Sequence, residues 1–232
     1  MYLPTSLQHA LEELISRSDH AELTAAAERI SKSYRSAEHS ASTTFLRDPH
    51  ERLAYAATRL PATYAASYAA LSHLRMLWPE CTLFSLLDVG SGSGAASWAA
   101  CTLFESLHSA TLFERDPHLV ALGQQLTCST AIPAMDTAQW NTCLLEQATL
   151  PQTNLVIASY VLNELTEKES ANAARAMWHA AGSALTLVEP GTTACFRRLK
   201  LIRSMLIAEG AQLLAPCPHT SSCPLPKNDW CH

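Results

Sequence analysis

Ten residues, Ser85-Leu86-Leu87-Asp88-Val89-Gly90-Ser91-Gly92-Ser93-Gly94, restrict the fold more than any other stretch of the chain. Phe84, Leu86, Leu87 and Val89 form a short, nearly continuous apolar run, as in a strand buried on both faces of a parallel sheet. An acid interrupts the run and alternating glycines end it. Residues 95–107 follow with helical composition, including Ala95, Ala96, Trp98, Ala99, Leu103 and Leu107. Strand, glycine turn and helix make the opening unit of a nucleotide-binding α/β fold, because missing side chains let a ligand approach the backbone.

Two kinds of cofactor compete for such a turn. Gly90, Gly92 and Ala95 satisfy the dinucleotide spacing G-x-G-x-x-G/A, a weak match on its own. Asp88 argues the other way. A carboxylate just before the turn repels a pyrophosphate but suits the ammonium and sulfonium of S-adenosylmethionine. The pattern D-x-G-x-G-x-G over Asp88, Gly90, Gly92 and Gly94 resembles the first motif of class I methyltransferases. Glu114 ends the next apolar run, Ala110-Thr111-Leu112-Phe113, about 20 residues past the last glycine, where an acid can bond ribose hydroxyls. Asp136 is expected on a loop of the weakly patterned 131–140 region. An acid there can bond the adenine amino group, although a surface aspartate is the commoner case. Tyr160 stands at the carboxyl end of a later strand, the edge where ligands bind in open α/β sheets, and joins the candidate cofactor residues.

A chain of 232 residues can bury one real core with a small accessory region. Its hydrophobic content of 48% and mean hydropathy of +0.02 fit a soluble globular protein. No apolar run approaches the roughly 18 residues of a membrane span, so no membrane partner is expected. Met1-Tyr2-Leu3-Pro4 lacks the basic and apolar regions of a signal peptide, which makes the cytoplasm the expected location. A net charge of −5 and a pI near 6.0 argue against a generic electrostatic nucleic-acid binder, and no DNA partner is expected. Any RNA contact needs a local patch. Arg197, Arg198, Lys200 and Arg203 form the densest basic run, as phosphate contacts or as a solvated helix face.

Along the chain, residues 1–80 read as a helical region, 81–214 as a Rossmann-like methyltransferase domain and 215–232 as a Cys-rich tail. Leu7, Leu11, Leu14 and Ile15 give a helical stripe, and Asp19 with Glu22 has capping-box spacing. Asp48-Pro49-His50-Glu51 starts a helix expected to break at Pro61 and to resume over 62–78, with Tyr55, Tyr64 and Tyr68 as packing residues. Residues 39–45 read as a loop. From Cys81 the order β-α-β-α-β predicts a parallel sheet. Its later strands are expected at 154–160, at 184–189 and, briefly, at 212–214.

Methyl transfer needs an acceptor lone pair aligned with the sulfonium methyl, which the protein orients. Asn163 and Glu164 lie where an acceptor-facing pair would be, so they are the candidate catalytic residues. Capping the turn into the next helix accounts for them equally well. In the tail, Cys217, Cys223 and Cys231 have C-x5-C-x7-C spacing in a proline-rich loop, which suggests metal ligation without matching a zinc knuckle. Cys195, His219 and His232 are the candidates for a fourth ligand. Cys81, Cys101, Cys128 and Cys143 sit in apolar contexts and read as core residues.

Several stretches together resemble one family, the methyltransferase-like proteins of the small ribosomal subunit, comprising a mitochondrial ribosome-assembly factor and its bacterial relatives. They are Arg59-Leu60-Pro61-Ala62-Thr63-Tyr64-Ala65-Ala66, the glycine turn, Tyr160-Val161-Leu162-Asn163-Glu164-Leu165, and Leu187-Val188-Glu189-Pro190-Gly191-Thr192. The most specific is Ala215-Pro216-Cys217-Pro218-His219 with Cys223-Pro224-Leu225 and Asp229-Trp230-Cys231-His232. The resemblance implies S-adenosylmethionine as cofactor, ribosomal RNA of the small subunit as partner, and Cys217, Cys223 and Cys231 as ligands of a [4Fe–4S] cluster. The family's fourth cysteine lies further downstream, and its members continue into further strands, so the resemblance implies a truncated chain. Three functions compete: a methyltransferase acting on small-subunit ribosomal RNA, a non-catalytic assembly factor docking RNA through the same fold, and a small-molecule methyltransferase, against which the tail argues.

Overall fold

The structure is a computed structural model that describes residues 2–35, 48–128, 130–226 and 229–231. The expected loop at 39–45 and the candidate ligand His232 lie outside the described residues. Three helices open the chain: α1 (Thr5–Ser16), α2 (His20–Arg35) and α3 (Pro49–Leu77). Asp19 accepts from the Ala21 and Glu22 amides at the start of α2, and Asp48 accepts from the Glu51 amide at the start of α3, so both acids serve as caps. Helix α3 does not break at Pro61; it runs through it for 29 residues. Pro61 removes one hydrogen bond and crowds the preceding turn. Burial holds the helix together on both sides of that defect, with Leu53, Ala56 and Leu60 before it and Tyr64, Leu71 and Leu74 after it.

The α/β portion follows as β1 (Ser85–Val89), α4 (Ala95–Leu103), β2 (Ser109–Glu114), α5 (Pro117–Thr127), α6 (Pro133–Asp136), β3 (Gln139–Thr142), β4 (Thr153–Ser159), α7 (Glu167–Ala180), β5 (Ala181–Val188) and α8 (Thr193–Ala208). All five strands are parallel, in the order β3-β2-β1-β4-β5. Each strand is followed by a loop at the carboxyl edge. Reversal of strand order between β1 and β4 leaves a crevice there.

Alternation along β1 divides the core. Leu86 faces one side, joining Leu112, Leu155 and Ile157 under α1, α3 and α4; Leu87 and Val89 face the other, joining Val156 and Ala158 under α7 and α8. Leu7 of α1 and Leu53 of α3 belong to the first cluster, so the N-terminal helices pack on the sheet itself. Trp98 of α4 is fully buried there. Phe84 falls outside β1, 48% exposed, with its ring stacked on His108 at 5.9 Å.

Two expected elements differ. Residues 212–214 form no strand, and Leu214 packs against the first core cluster. Helix α4 stops at Leu103, where Phe104 caps it, rather than reaching residue 107. Among the described residues, no helix is long and apolar enough to cross a membrane.

Candidate functional site at the carboxyl edge of the sheet

A cavity of about 600 Å³ opens at the carboxyl edge. Its floor is the glycine turn, its walls are the segments after β2, β3 and β4, and α3 contributes Tyr55, Arg59 and Thr63. Such a volume lies within the usual range for a small-molecule site.

Gly90, Ser91, Gly92, Glu114 and Tyr160 line it together. The Gly90 and Ser91 amides donate to the Phe113 carbonyl at 2.8 and 3.0 Å, which ties the turn to the end of β2. Gly90 has φ +69°, and a Cβ there would sit 2.4 Å from Val161 Cγ2. Gly92 has φ +55°, and a Cβ there would meet nothing within 4 Å. One glycine is required by a close neighbour, the other leaves backbone bare beside the cavity.

Glu114 is 92% withdrawn from solvent by its neighbours, at 8% exposure. Its Oε2 accepts from the Gly92 amide at 2.8 Å and its Oε1 from the Asp116 amide at 2.9 Å. Each carboxylate oxygen can accept a second donor, so the group retains capacity for hydroxyls placed in the cavity. Ser91 Oγ is buried on the same wall and has no hydrogen-bond partner.

Asp88 takes a different place from the one expected on charge grounds. It is not part of the cavity lining. Residues 86 and 88 share a strand face, so Asp88 points at the start of α4, where Oδ2 accepts from the Ser97 amide (3.1 Å) and hydroxyl (2.6 Å). Its other oxygen is buried without a partner. Burial pushes the Asp88 carboxyl up to about 7; the Ser97 donors oppose the rise and the Glu114 charge adds to it. Asp88 anchors the start of α4 behind the turn. Gly94, with φ +90°, caps α4 and lies against Trp140 rather than on the cavity wall.

Asp136 is exposed at the end of α6, before β3, and so at the opposite end of that strand from the cavity. The segment beyond β3 supplies the lining instead: Cys143, Leu144, Leu145 and Glu146. A four-residue strand carries almost no alternation, which hid this segment in the sequence. Cys143 is thus a cavity residue and Cys128 is exposed, not core; only Cys101 is deeply buried of the four apolar-context cysteines, and burial pushes its thiol up to about 12.

Asn163 and Glu164 both reach the cavity, on a single 3-10 turn, Leu162–Glu164. Neither stands apart. Glu164 Oε2 pairs with Arg115 at 2.7 Å, joining the segments after β2 and β4. With its side-chain amide turned so that the nitrogen meets the surrounding acceptors, Asn163 donates to the Tyr160 carbonyl at 2.8 Å and to Glu189 Oε2 at 3.2 Å. Glu189 also accepts from the Leu162 amide (2.8 Å) and the Asn163 amide (3.0 Å). Burial pushes Glu189 up to about 7, against the pull of these donors and of Arg198. Burial and the Glu189 charge also raise the Tyr160 hydroxyl.

The basic run on α8 is divided by its packing. Arg198 donates to the Leu162 and Leu165 carbonyls, and Arg203 donates to the His219 and Ser221 carbonyls of the tail. Arg197 remains exposed. In the tail Cys217 and Cys223 are half-buried and Cys231 is exposed. Cys195, a candidate fourth ligand, is buried on α8. Among the described residues, no group of three or more His, Cys, Asp or Glu side chains is gathered to hold a metal ion.

A family model described as mitochondrial small ribosomal subunit Rsm22 matches residues 49–232. The chain belongs to the Rsm22 family. Two relatives locate it within that family. The Rsm22-cox11 tandem protein 2, mitochondrial, of Schizosaccharomyces pombe is 28% identical over 202 residues, covering 79% of this chain and 27% of the relative. The human ribosome assembly protein METTL17, mitochondrial, is 28% identical over 197 residues, covering 77% of this chain and 42% of the relative. This Rsm22-family chain therefore spans less than half the length of either relative. Among solved structures, human N-acetylserotonin methyltransferase in complex with S-adenosylmethionine superposes with a TM-score of 0.51 at 16% identity, over 77% of this chain and 51% of that one. The fold is that of a class I methyltransferase.

Proposed function

We propose that the carboxyl-edge cavity binds S-adenosylmethionine and that the chain is a methyltransferase acting with the small ribosomal subunit. One observation carries the first half. Glu114 holds the Gly92 amide at the cavity floor with carboxylate capacity to spare, where Gly92 itself leaves backbone bare. Glu114 would take the ribose hydroxyls, the backbone at 90–92 the amino-acid portion, and Leu144 with Leu145 the flanks of the adenine. When bound, the cofactor supplies an electrophilic methyl group. The protein's part is to orient the two reactants and exclude water. The second half rests on the family, whose human relative is named for ribosome assembly.

Calorimetry with S-adenosylmethionine tests the cofactor half. Wild type is expected to bind, and Gly92→Asp, which aims a carboxylate into the cavity, is expected to abolish binding. A folded wild type that takes up no cofactor overturns it. Methyl transfer from labelled cofactor to small-subunit ribosomal RNA tests the second half.

A non-catalytic assembly role is the second reading, favoured by Asn163 and Glu164, both of which are engaged by protein partners rather than offered to an acceptor. Under it, Gly92→Asp loses cofactor yet sediments with the small subunit as wild type does. For the tail, ligation of a [4Fe–4S] cluster by Cys217, Cys223 and Cys231 rests on the family resemblance alone; iron and sulfide analysis of anaerobically purified protein tests it.

A further inference from the structure

Tyr160 is the single non-glycine residue with a left-handed backbone among the described residues, at φ 60°. A bulky L residue adopts that conformation only when its surroundings impose it. Here the surroundings are explicit. The Tyr160 amide extends the β4–β5 ladder by donating to the Val188 carbonyl at 2.7 Å, and its carbonyl accepts from the Asn163 amide nitrogen. Glu189, one residue beyond β5, accepts from the backbone of Leu162 and Asn163 and from the Asn163 side chain. From the other side, Arg198 of α8 donates to the carbonyls of Leu162 and Leu165. Residues 160–165 are therefore gripped by their amides from one element and by their carbonyls from another. Tyr160, at the front of this grip, lines the cavity.

We propose that Glu189 and Asn163 are positioning residues, which hold Tyr160 in its left-handed conformation so that it presents a fixed wall to the methyl acceptor. Asn163 works on Tyr160 and not on the acceptor. This rests on the methyltransferase reading for what the wall faces, and on the geometry alone for the hold itself.

Hydrogen exchange read at single amides tests the hold. The informative positions are residues 160, 164 and 165, whose amides bond to Val188, Val161 and Leu162 carbonyls and never touch Glu189. Glu189→Gln keeps one acceptor and loses the other. It is expected to speed exchange at those three amides roughly five- to thirtyfold, the population cost of a left-handed L residue. Tyr160→Gly in the same background removes that cost and is expected to return them to near wild-type rates. Rescue by glycine is the signature that a merely structural glutamate would lack. Equal exchange in Glu189→Gln and wild type overturns the proposal, as does acceleration that Tyr160→Gly leaves in place. Cofactor calorimetry on the wild type runs beside it: absence of binding would sink the methyltransferase reading, while the exchange rates still decide the hold.

Discussion

Substituting alanine separately at Gly90 and Gly92 separates what the turn does for the fold from what it does for a ligand. Both residues are left-handed, at φ +69° and +55°. Alanine in that region costs about 1–2 kcal/mol. At Gly92 nothing else opposes the new methyl, since no atom lies within 4 Å of it. Gly92→Ala should therefore lower the melting temperature by about 2–8 °C, taking 2–4 °C per kcal/mol for a chain of this size. At Gly90 the methyl would stand 2.4 Å from Val161 Cγ2, so Val161 and the turn bearing it must move. That overlap adds about 1–3 kcal/mol, for a total near 2–5 kcal/mol and a fall of about 4–20 °C. Cofactor affinity should respond in the opposite order relative to stability. The Gly92 methyl occupies space where a ligand would approach the backbone, and a loss of tenfold in affinity corresponds to about 1.4 kcal/mol. Thermal melts and calorimetry with S-adenosylmethionine measure both. Gly92→Ala that binds like wild type, or that melts lower than Gly90→Ala, would refute the assignment of the two roles.

Pro61→Ala should stabilise the chain by up to about 3 kcal/mol in thermal or urea unfolding, because the amide it restores can rejoin a helix that already continues on both sides. Gly123→Ala should destabilise by more than 1 kcal/mol, since its methyl would lie 2.2 Å from Trp140 Cη2 inside the α5–β3 contact; an unchanged melting temperature would refute that packing. Asp88 binds its proton more tightly folded, at about 7, than in the unfolded chain, whose ordinary value is 3.8. Its contribution to stability is therefore full below about pH 4 and is lost as pH rises through 7, by at most about 4 kcal/mol. Asp88→Asn should flatten the fall in unfolding free energy between pH 5 and pH 8 relative to wild type, and equal slopes would refute it.

Short-range chemistry made much of this fold legible before any coordinates. The β1 apolar run, the glycines and the acid ending β2 are patterns of neighbouring residues, and they placed Gly90, Gly92 and Glu114 on one cavity wall. Asp88 shows where such patterns stop. In a strand covered on both faces, alternation no longer separates inside from outside, so its charge suggested a ligand where the packing supplied Ser97. At Pro61 the local rule that breaks a helix loses to burial on both sides, which only the tertiary structure reveals. Tyr55, Arg59 and Thr63 reach the cavity from a helix more than 25 residues before the turn, a proximity with no local trace. The engagement of Asn163 by Glu189 is likewise a contact between two strand ends, and the type of residue alone is compatible with catalysis or with support.

The inward turn of Arg198 and Arg203 bears on how this chain can meet a polyanion. Helix α8 carries four cations in sequence but directs two of them to carbonyl oxygens of its own chain. Counterion release from single-stranded RNA scales with the phosphates neutralised, so two outward charges weaken binding about sevenfold on a fourfold rise in salt, whereas four would weaken it about fiftyfold. With a net charge of −5 behind it, this helix offers a polyanion little electrostatic attraction.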